Sequence, residues 1–215
     1  MLKEKAPFVY FLLTCFLILT LFVAKQVTRP FDEMVTQSVQ HFGFKQLDYF
    51  MYFFTLFGSI EFSSFALLLV SWYLYRKYEW PGVFIYLFFF MALSGIEFIW
   101  KYIVTYTGPG PEFDRNPLHW ALIVFRTPYS FPSGHTFRSV FLLGVWYHRL
   151  NQKYIPACGN LLFQKAIIVA TVVGVGVSRI YLGDHWLSDV VGGFLLAAIG
   201  LALVSQTPHH ELRPA

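Results

Sequence analysis

Apolar residues run through this chain in long blocks separated by short polar stretches. The first block, "PFVYFLLTCFLILTLFVA", covers residues 7–24. Others run from about Tyr49 to Tyr75, from about Pro81 to Tyr106, from "PSGH" at 132–135 to near His148, from about Leu162 to Val177, and from about His185 to Val204. A helix needs about 20 such residues to cross a hydrocarbon core about 30 Å thick. The pattern therefore predicts an all-α integral membrane bundle of six transmembrane helices, with residues 1–215 forming one membrane-embedded domain. The first block follows Lys3 and Lys5, as a signal peptide would. It is longer than the usual signal core, and no Ala-x-Ala-like site follows it, so it is read as a span.

Composition agrees with a membrane protein. Of 215 residues, 56% are hydrophobic, 20% aromatic and only 13% charged, against about 25% charged in soluble domains. Cys15 and Cys158 fall in an apolar block and a polar connector, which suggests no disulfide framework. The net charge of +4 is compatible with anionic lipids, and no basic stripe marks a nucleic-acid partner. Basic residues favour cytoplasmic loops. With the N-terminus inside, the inner segments hold Lys3, Lys5, Arg76, Lys77, Arg149, Lys153, Lys165 and Arg213. The outer ones hold Lys25, Arg29, Lys45, Arg115 and Arg126, a bias of eight against five. That orientation puts three polar stretches outside: the end of span three, the start of span four and the connection between spans five and six.

Those stretches carry the chemistry. In "SRIYLGDHWLSD", residues 178–189, His185 and Asp189 are four apart and share a helix face. A carboxylate behind an imidazole fixes its tautomer and steadies its positive charge. The other ring nitrogen is then left as a nucleophile or base. Arg179, across a short turn, can grip a phosphoryl group through two parallel hydrogen bonds. In "PSGH", Ser133 is a plausible N-cap, Gly134 offers no side chain to obstruct a ligand, and the helix start favours anions. His135 can donate a proton to a leaving oxygen. Lys101, near the outer end of span three, has the reach for a phosphate oxygen. Alone, Lys101 would suit a snorkelling anchor, His135 a hydrogen-bonded structural residue, and His185–Asp189 a helix-packing pair. Ionisable groups gathered at membrane depth argue for function.

"PSGH" resembles one signature motif of the type 2 phosphatidic-acid phosphatase superfamily. "SR", followed after five residues by His185 and after three more by Asp189, resembles another. The family's remaining motif is Lys, six residues, then Arg-Pro. Here Lys101 is followed by "YIVTYT" and Gly108-Pro109, so glycine stands where the family has arginine. The resemblance implies a six-span lipid phosphatase. His185 would attack phosphorus to form a phosphohistidine, Asp189 would orient it, and His135 would protonate the leaving group. Lys101, Ser133, Gly134 and Arg179 would hold the phosphoryl oxygens, with no metal and no cofactor.

The substrate expected is a lipid phosphate or pyrophosphate at the outer face: a polyprenyl pyrophosphate, phosphatidate or phosphatidylglycerol phosphate. Alternatives are a lipid A phosphatase or a lipid phosphotransferase and, from another class, a non-catalytic lipid-binding or transport protein. Arg115, Arg126 and Arg138 are the arginines that could replace the one missing at Gly108. Glu97, four before Lys101, is expected to pair with Lys101 or Arg138. Asp184 is expected to cap span six. Tyr49, Tyr52, Trp80, Trp100, Trp120 and Trp186 are expected to be interfacial anchors. The stretch from Lys25 to Gly43 reads as an amphipathic connector.

Overall fold

The computed structural model describes residues 2–77, 80–118, 127–150 and 160–205. Every element among them is helical: α1 (Leu2–Ala24), α2 (Arg29–Gln40), α3 (Lys45–Leu56), α4 (Ile60–Lys77), α5 (Trp80–Val104), α6 (Gly134–Leu150), α7 (Leu161–Tyr181) and α8 (Leu187–Val204), with one 3-10 turn at Pro111–Phe113. Local signals set several boundaries. Pro30 opens α2 at a position where its missing N–H costs nothing. Asn160 caps α7 by accepting from the N–H groups of Leu162 (2.9 Å) and Phe163 (3.4 Å).

α8 is the most enclosed of the apolar helices and lies against α6, α1 and α5. Gly193 makes the contact with α6 possible, because a Cβ there would run into the carbonyl oxygen of Ser133, backbone that cannot swing aside. Phe16, Phe90, Phe131, Phe137 and Phe141 fill the centre, with Phe90 and Phe137 stacked at 6.1 Å. Phe8, Phe11, Phe84, Phe88 and Val173 lie on the outside of the bundle. In a bilayer such residues face acyl chains, so their exposure carries no penalty.

The count of six spans is not reached on length and apolarity. Among the described residues, four helices meet both requirements alone: α1, α5, α7 and α8. A fifth span is counted if α3 and α4 act as one broken span, bent by 41°. α6 has 17 residues, about 25 Å at 1.5 Å per residue, and carries His135, Arg138, His148 and Arg149. The expected continuous helix from Tyr49 to Tyr75 is thus corrected to two, parted at 57–59. The physical cause lies in α6. Arg138 Nε donates to the carbonyl of Gly58 at 3.1 Å, and a Cβ at Gly58 would sit 2.7 Å from the His135 carbonyl oxygen. The elbow brings bare backbone against the start of α6.

Two expected interfacial anchors are instead core residues. Trp186 is fully buried, and its indole N–H donates to the Thr107 carbonyl at 2.9 Å. Tyr52 is also buried. Tyr49 is exposed, and Trp100 is half-buried with its N–H on Thr20 Oγ1 at 3.3 Å. Trp120 and the Trp80 side chain lie outside the described residues, as do Arg126, Lys153, Cys158 and Arg213. The connector after α1 is helical, as its amphipathic pattern suggested, but its Asp32 is buried.

Candidate functional site

The three motif stretches meet at one end of the bundle, where α5 and α7 end and α6 and α8 begin. Lys101 lies in the last turn of α5 and is buried. Its ammonium donates to the carbonyls of Ser130 (2.8 Å) and Pro132 (2.6 Å) and pairs with Glu97 at 3.1 Å. An ammonium has three protons, and all three meet protein acceptors. Lys101 therefore fastens the loop ahead of "PSGH", and the expected Glu97–Lys101 pair is present. Ser133 caps α6 as expected, with Oγ accepting from Thr136 N–H at 3.5 Å and from Thr136 Oγ1 at 3.2 Å. Its own N–H donates to the Asp189 carbonyl at 2.9 Å, which ties the second motif to the third.

Gly134 is corrected in one respect. The space a side chain would occupy there faces not an open ligand path but the Arg138 guanidinium and the Glu97 carboxylate, each 2.8 Å from an added Cβ. Arg138 and Glu97 thus share the volume beneath the start of α6. Arg138 donates to the Gly58 carbonyl, and Arg115 is committed to Asp48, which it meets through Nε (3.0 Å) and Nη2 (2.9 Å).

The third motif has the geometry its spacing promised. Asp189 Oδ2 lies 3.2 Å from His185 Nδ1 and accepts the Trp186 N–H at 3.0 Å. Asp189 is wholly buried, so its carboxylate is a fixed fixture behind the ring. With Asp189 ionised, Nδ1 donates to it and the lone pair is on Nε2. His185 lies in the turn before α8. Burial first, then the Arg179 and Lys101 cations, hold its imidazole well below the usual range and keep it neutral at pH 7. Asp184 does not cap α8, since Trp186 occupies that position. Asp184 instead pairs with Arg179 Nη1 at 2.9 Å. Arg179 also donates to Thr55 Oγ1 at 2.5 Å, while its Nε is a buried donor with no hydrogen-bond partner. Such a donor is costly to leave unmatched, and a phosphoryl oxygen is a suitable acceptor. His135 is half-buried at the α3–α4 elbow, where the Gly58 backbone packs against it.

Two residues of α2 belong to this end of the molecule and were not singled out from the sequence for it. Asp32 accepts from Ser188 N–H (2.9 Å), Ser188 Oγ (2.7 Å) and Tyr106 Oη (3.0 Å), and so holds the first turn of α8 to the end of α5. Arg29 lies over Trp186, its guanidinium carbon 4.4 Å from the ring centre. Nothing in the sequence separates these two from the other polar residues of an amphipathic stretch.

The model of the PAP2 superfamily matches residues 82–213, and the chain belongs to that superfamily. A multi-pass membrane protein follows from this membership together with the apolar helices. Phosphatidylglycerophosphatase B of Bacillus subtilis (strain 168) is 36% identical over 86 residues, which cover 40% of this chain and 42% of that one. The matched stretch is thus less than half of the relative's length. The crystal structure of the first transmembrane PAP2 type phosphatidylglycerolphosphate phosphatase from Bacillus subtilis superposes with a TM-score of 0.77 at 23% identity, covering 95% of this chain and 98% of that one. Aquifex aeolicus LpxE gives 0.58 at 21% identity, covering 81% and 94%. At such identities the two structures speak for the fold alone.

Proposed function

We propose that the chain is a membrane phosphatase that hydrolyses a lipid phosphate or pyrophosphate through a phosphohistidine. The observation that carries this is the buried Asp189–His185 pair, which leaves Nε2 as the lone-pair nitrogen beside the unmatched Nε–H of Arg179. In the first step Nε2 bonds to phosphorus as the bond to the leaving oxygen breaks. His135 gives that oxygen its proton. Water then attacks the phosphohistidine, the P–N bond breaks, and His135 takes the water's proton. Arg179 and the start of α6, with Ser133 and Gly134, hold the equatorial oxygens. Lys101 acts on them through its charge and through the loop it fastens. The substrates favoured are polyprenyl pyrophosphate, phosphatidate and phosphatidylglycerol phosphate, the last also favoured by the name of the B. subtilis relative.

Phosphate release from the solubilised protein, given a panel of these lipids, tests the reading. Release from none of them would favour a lipid-binding or transport protein instead. The site presents cations and a helix start to the phosphoryl group rather than a carboxylate cluster, so turnover is expected to survive excess chelator. Orthovanadate is expected to inhibit by occupying the phosphoryl position. Loss in chelator that magnesium restores would contradict the cationic cradle.

The site is assigned to the outer face on the basic-residue bias. In a version lacking Cys15 and Cys158, Gly110→Cys should react with an impermeant thiol reagent on intact cells, and Gln152→Cys should not. The reverse pattern overturns the orientation.

A further inference from the structure

The cations inside the site are already matched. Lys101 meets Glu97 and two carbonyls, Arg179 meets Asp184, and Arg138 meets Gly58 and shares its space with Glu97. Among the described residues of the three motifs, the buried donor left without a hydrogen-bond partner for a phosphoryl dianion is Arg179 Nε. Arg29, at the start of α2, stands at the rim. Its guanidinium covers the face of Trp186, the residue after His185, and Nη1 donates to the Thr107 carbonyl at 3.3 Å. Its Nε donates to Glu33 at 2.6 Å. A guanidinium has five N–H groups, and these contacts use two of them. The side chain is 27% exposed, open enough for a ligand to reach and stiffened by stacking.

Beside it the wall is low. Gly108 follows Thr107, and a Cβ there would make only ordinary contacts, 3.4 Å to Ser130 Cβ and 3.7 Å to the Asp184 carbonyl oxygen. The backbone at Gly108 also needs no left-handed conformation. A side chain could stand at 108 without strain, and its absence opens the rim between Arg29 and Asp184.

We infer that Arg29 is a substrate-recognition residue, its guanidinium taking phosphoryl oxygens across the gap left by Gly108. This rests on the phosphatase reading and deepens it. Glu33 holds the guanidinium while the site waits and competes with the phosphoryl group for it. Charge-assisted contacts of this kind govern affinity more than the chemical step when they are made in both ground and transition states.

Two readouts test it. With the best lipid substrate, Arg29→Gln should raise KM about tenfold and change kcat by less than about threefold, and Gly108→Arg placed on Arg29→Gln should restore KM. In the second readout, inorganic phosphate raises the melting temperature of the detergent-solubilised protein by binding the folded state. Arg29→Gln should need about tenfold more phosphate for the same rise. Glu33→Gln leaves Arg29 in place and should need less phosphate than wild type, which keeps the test alive if Arg29→Gln folds poorly. Unchanged phosphate dependence in Glu33→Gln and in a folded Arg29→Gln overturns the inference. So does an effect of Arg29→Gln confined to anionic vesicles, which would assign Arg29 to the bilayer surface. If wild type releases phosphate from no lipid, the phosphatase reading fails while the phosphate titration still decides Arg29.

Discussion

On the proposed mechanism, His185→Ala should reduce phosphate release by roughly 10³-fold or more, because it removes the atom assigned to form the covalent bond. The fold should survive. His185 sits in the turn between α7 and α8, and among the described residues its side chain makes one polar contact, Nδ1 to Asp189. After truncation Asp189 Oδ2 still accepts the Trp186 N–H, while Oδ1 has no hydrogen-bond partner among the described residues. A stability change of about 1.5–3 kcal/mol is the expected scale for one such bond to a charged group. Asp189→Asn is the informative companion. An amide can present its NH₂ to Nδ1, which moves the proton to Nε2 and removes the nucleophilic lone pair. It should lose roughly 10²-fold, the scale of a misplaced proton in acid–base catalysis. Release is measured at matched amounts of folded protein, with acid-labile phosphate on the protein sought by trapping during turnover. Near-normal release from His185→Ala would end the assignment, as would labelled phosphate trapped on that variant.

The parts of the site that were legible are those fixed within one helix or one turn. Glu97 and Lys101 meet because four residues make one turn of α5, whereas His185 lies ahead of α8, not on a helix face, and meets Asp189 because that carboxylate turns back from the third position of α8 to the capping turn. Ser133 caps α6 because its position just before the helical run demands it. What was not legible depends on partners far along the chain. The apolar run through "YFFTLFGSIEFSSF" carries Gly58-Ser59, a pair that permits a kink but does not by itself require the break at 57–59. The Gly58 carbonyl at that break is taken by Arg138, 80 residues on. That Lys101 also fastens the loop was not legible, because its acceptors there are the backbone carbonyls of 130 and 132, and backbone carbonyls have no sequence signature. Trp186 looked interfacial by composition. The Thr107 carbonyl and the Arg29 guanidinium that satisfy its polar edge and face come from two other elements.

The same reasoning makes Asp32 the most exacting test of the fold around the site. It is an acid only 1% exposed, on a helix that the sequence presents as a surface connector. Burying a carboxylate is costly unless its oxygens are all matched. Here Oδ1 takes the Ser188 N–H, and Oδ2 takes the hydroxyls of Ser188 and Tyr106. Tyr106 lies beyond the end of α5. Burial first, with help from the Asp32 charge, pushes its phenol above the usual range, so it stays a donor at any physiological pH. Asp32→Ala would leave three buried donors without an acceptor at about 1–3 kcal/mol each. The expected loss is about 3 kcal/mol or more, read as a clear fall in melting temperature in detergent. Asp32→Asn keeps one oxygen for the Ser188 N–H, and the two hydroxyls can rotate to accept from its amide, so its loss should be smaller. Activity should follow the same order when assayed well below both melting points. Ser188 precedes Asp189 in the first turn of α8, and a loosened turn moves the carboxylate that aims His185. If Asp32→Ala melts with wild type and turns over normally, α2 is a connector after all, and the ends of α5 and α8 are held by something other than this buried acid.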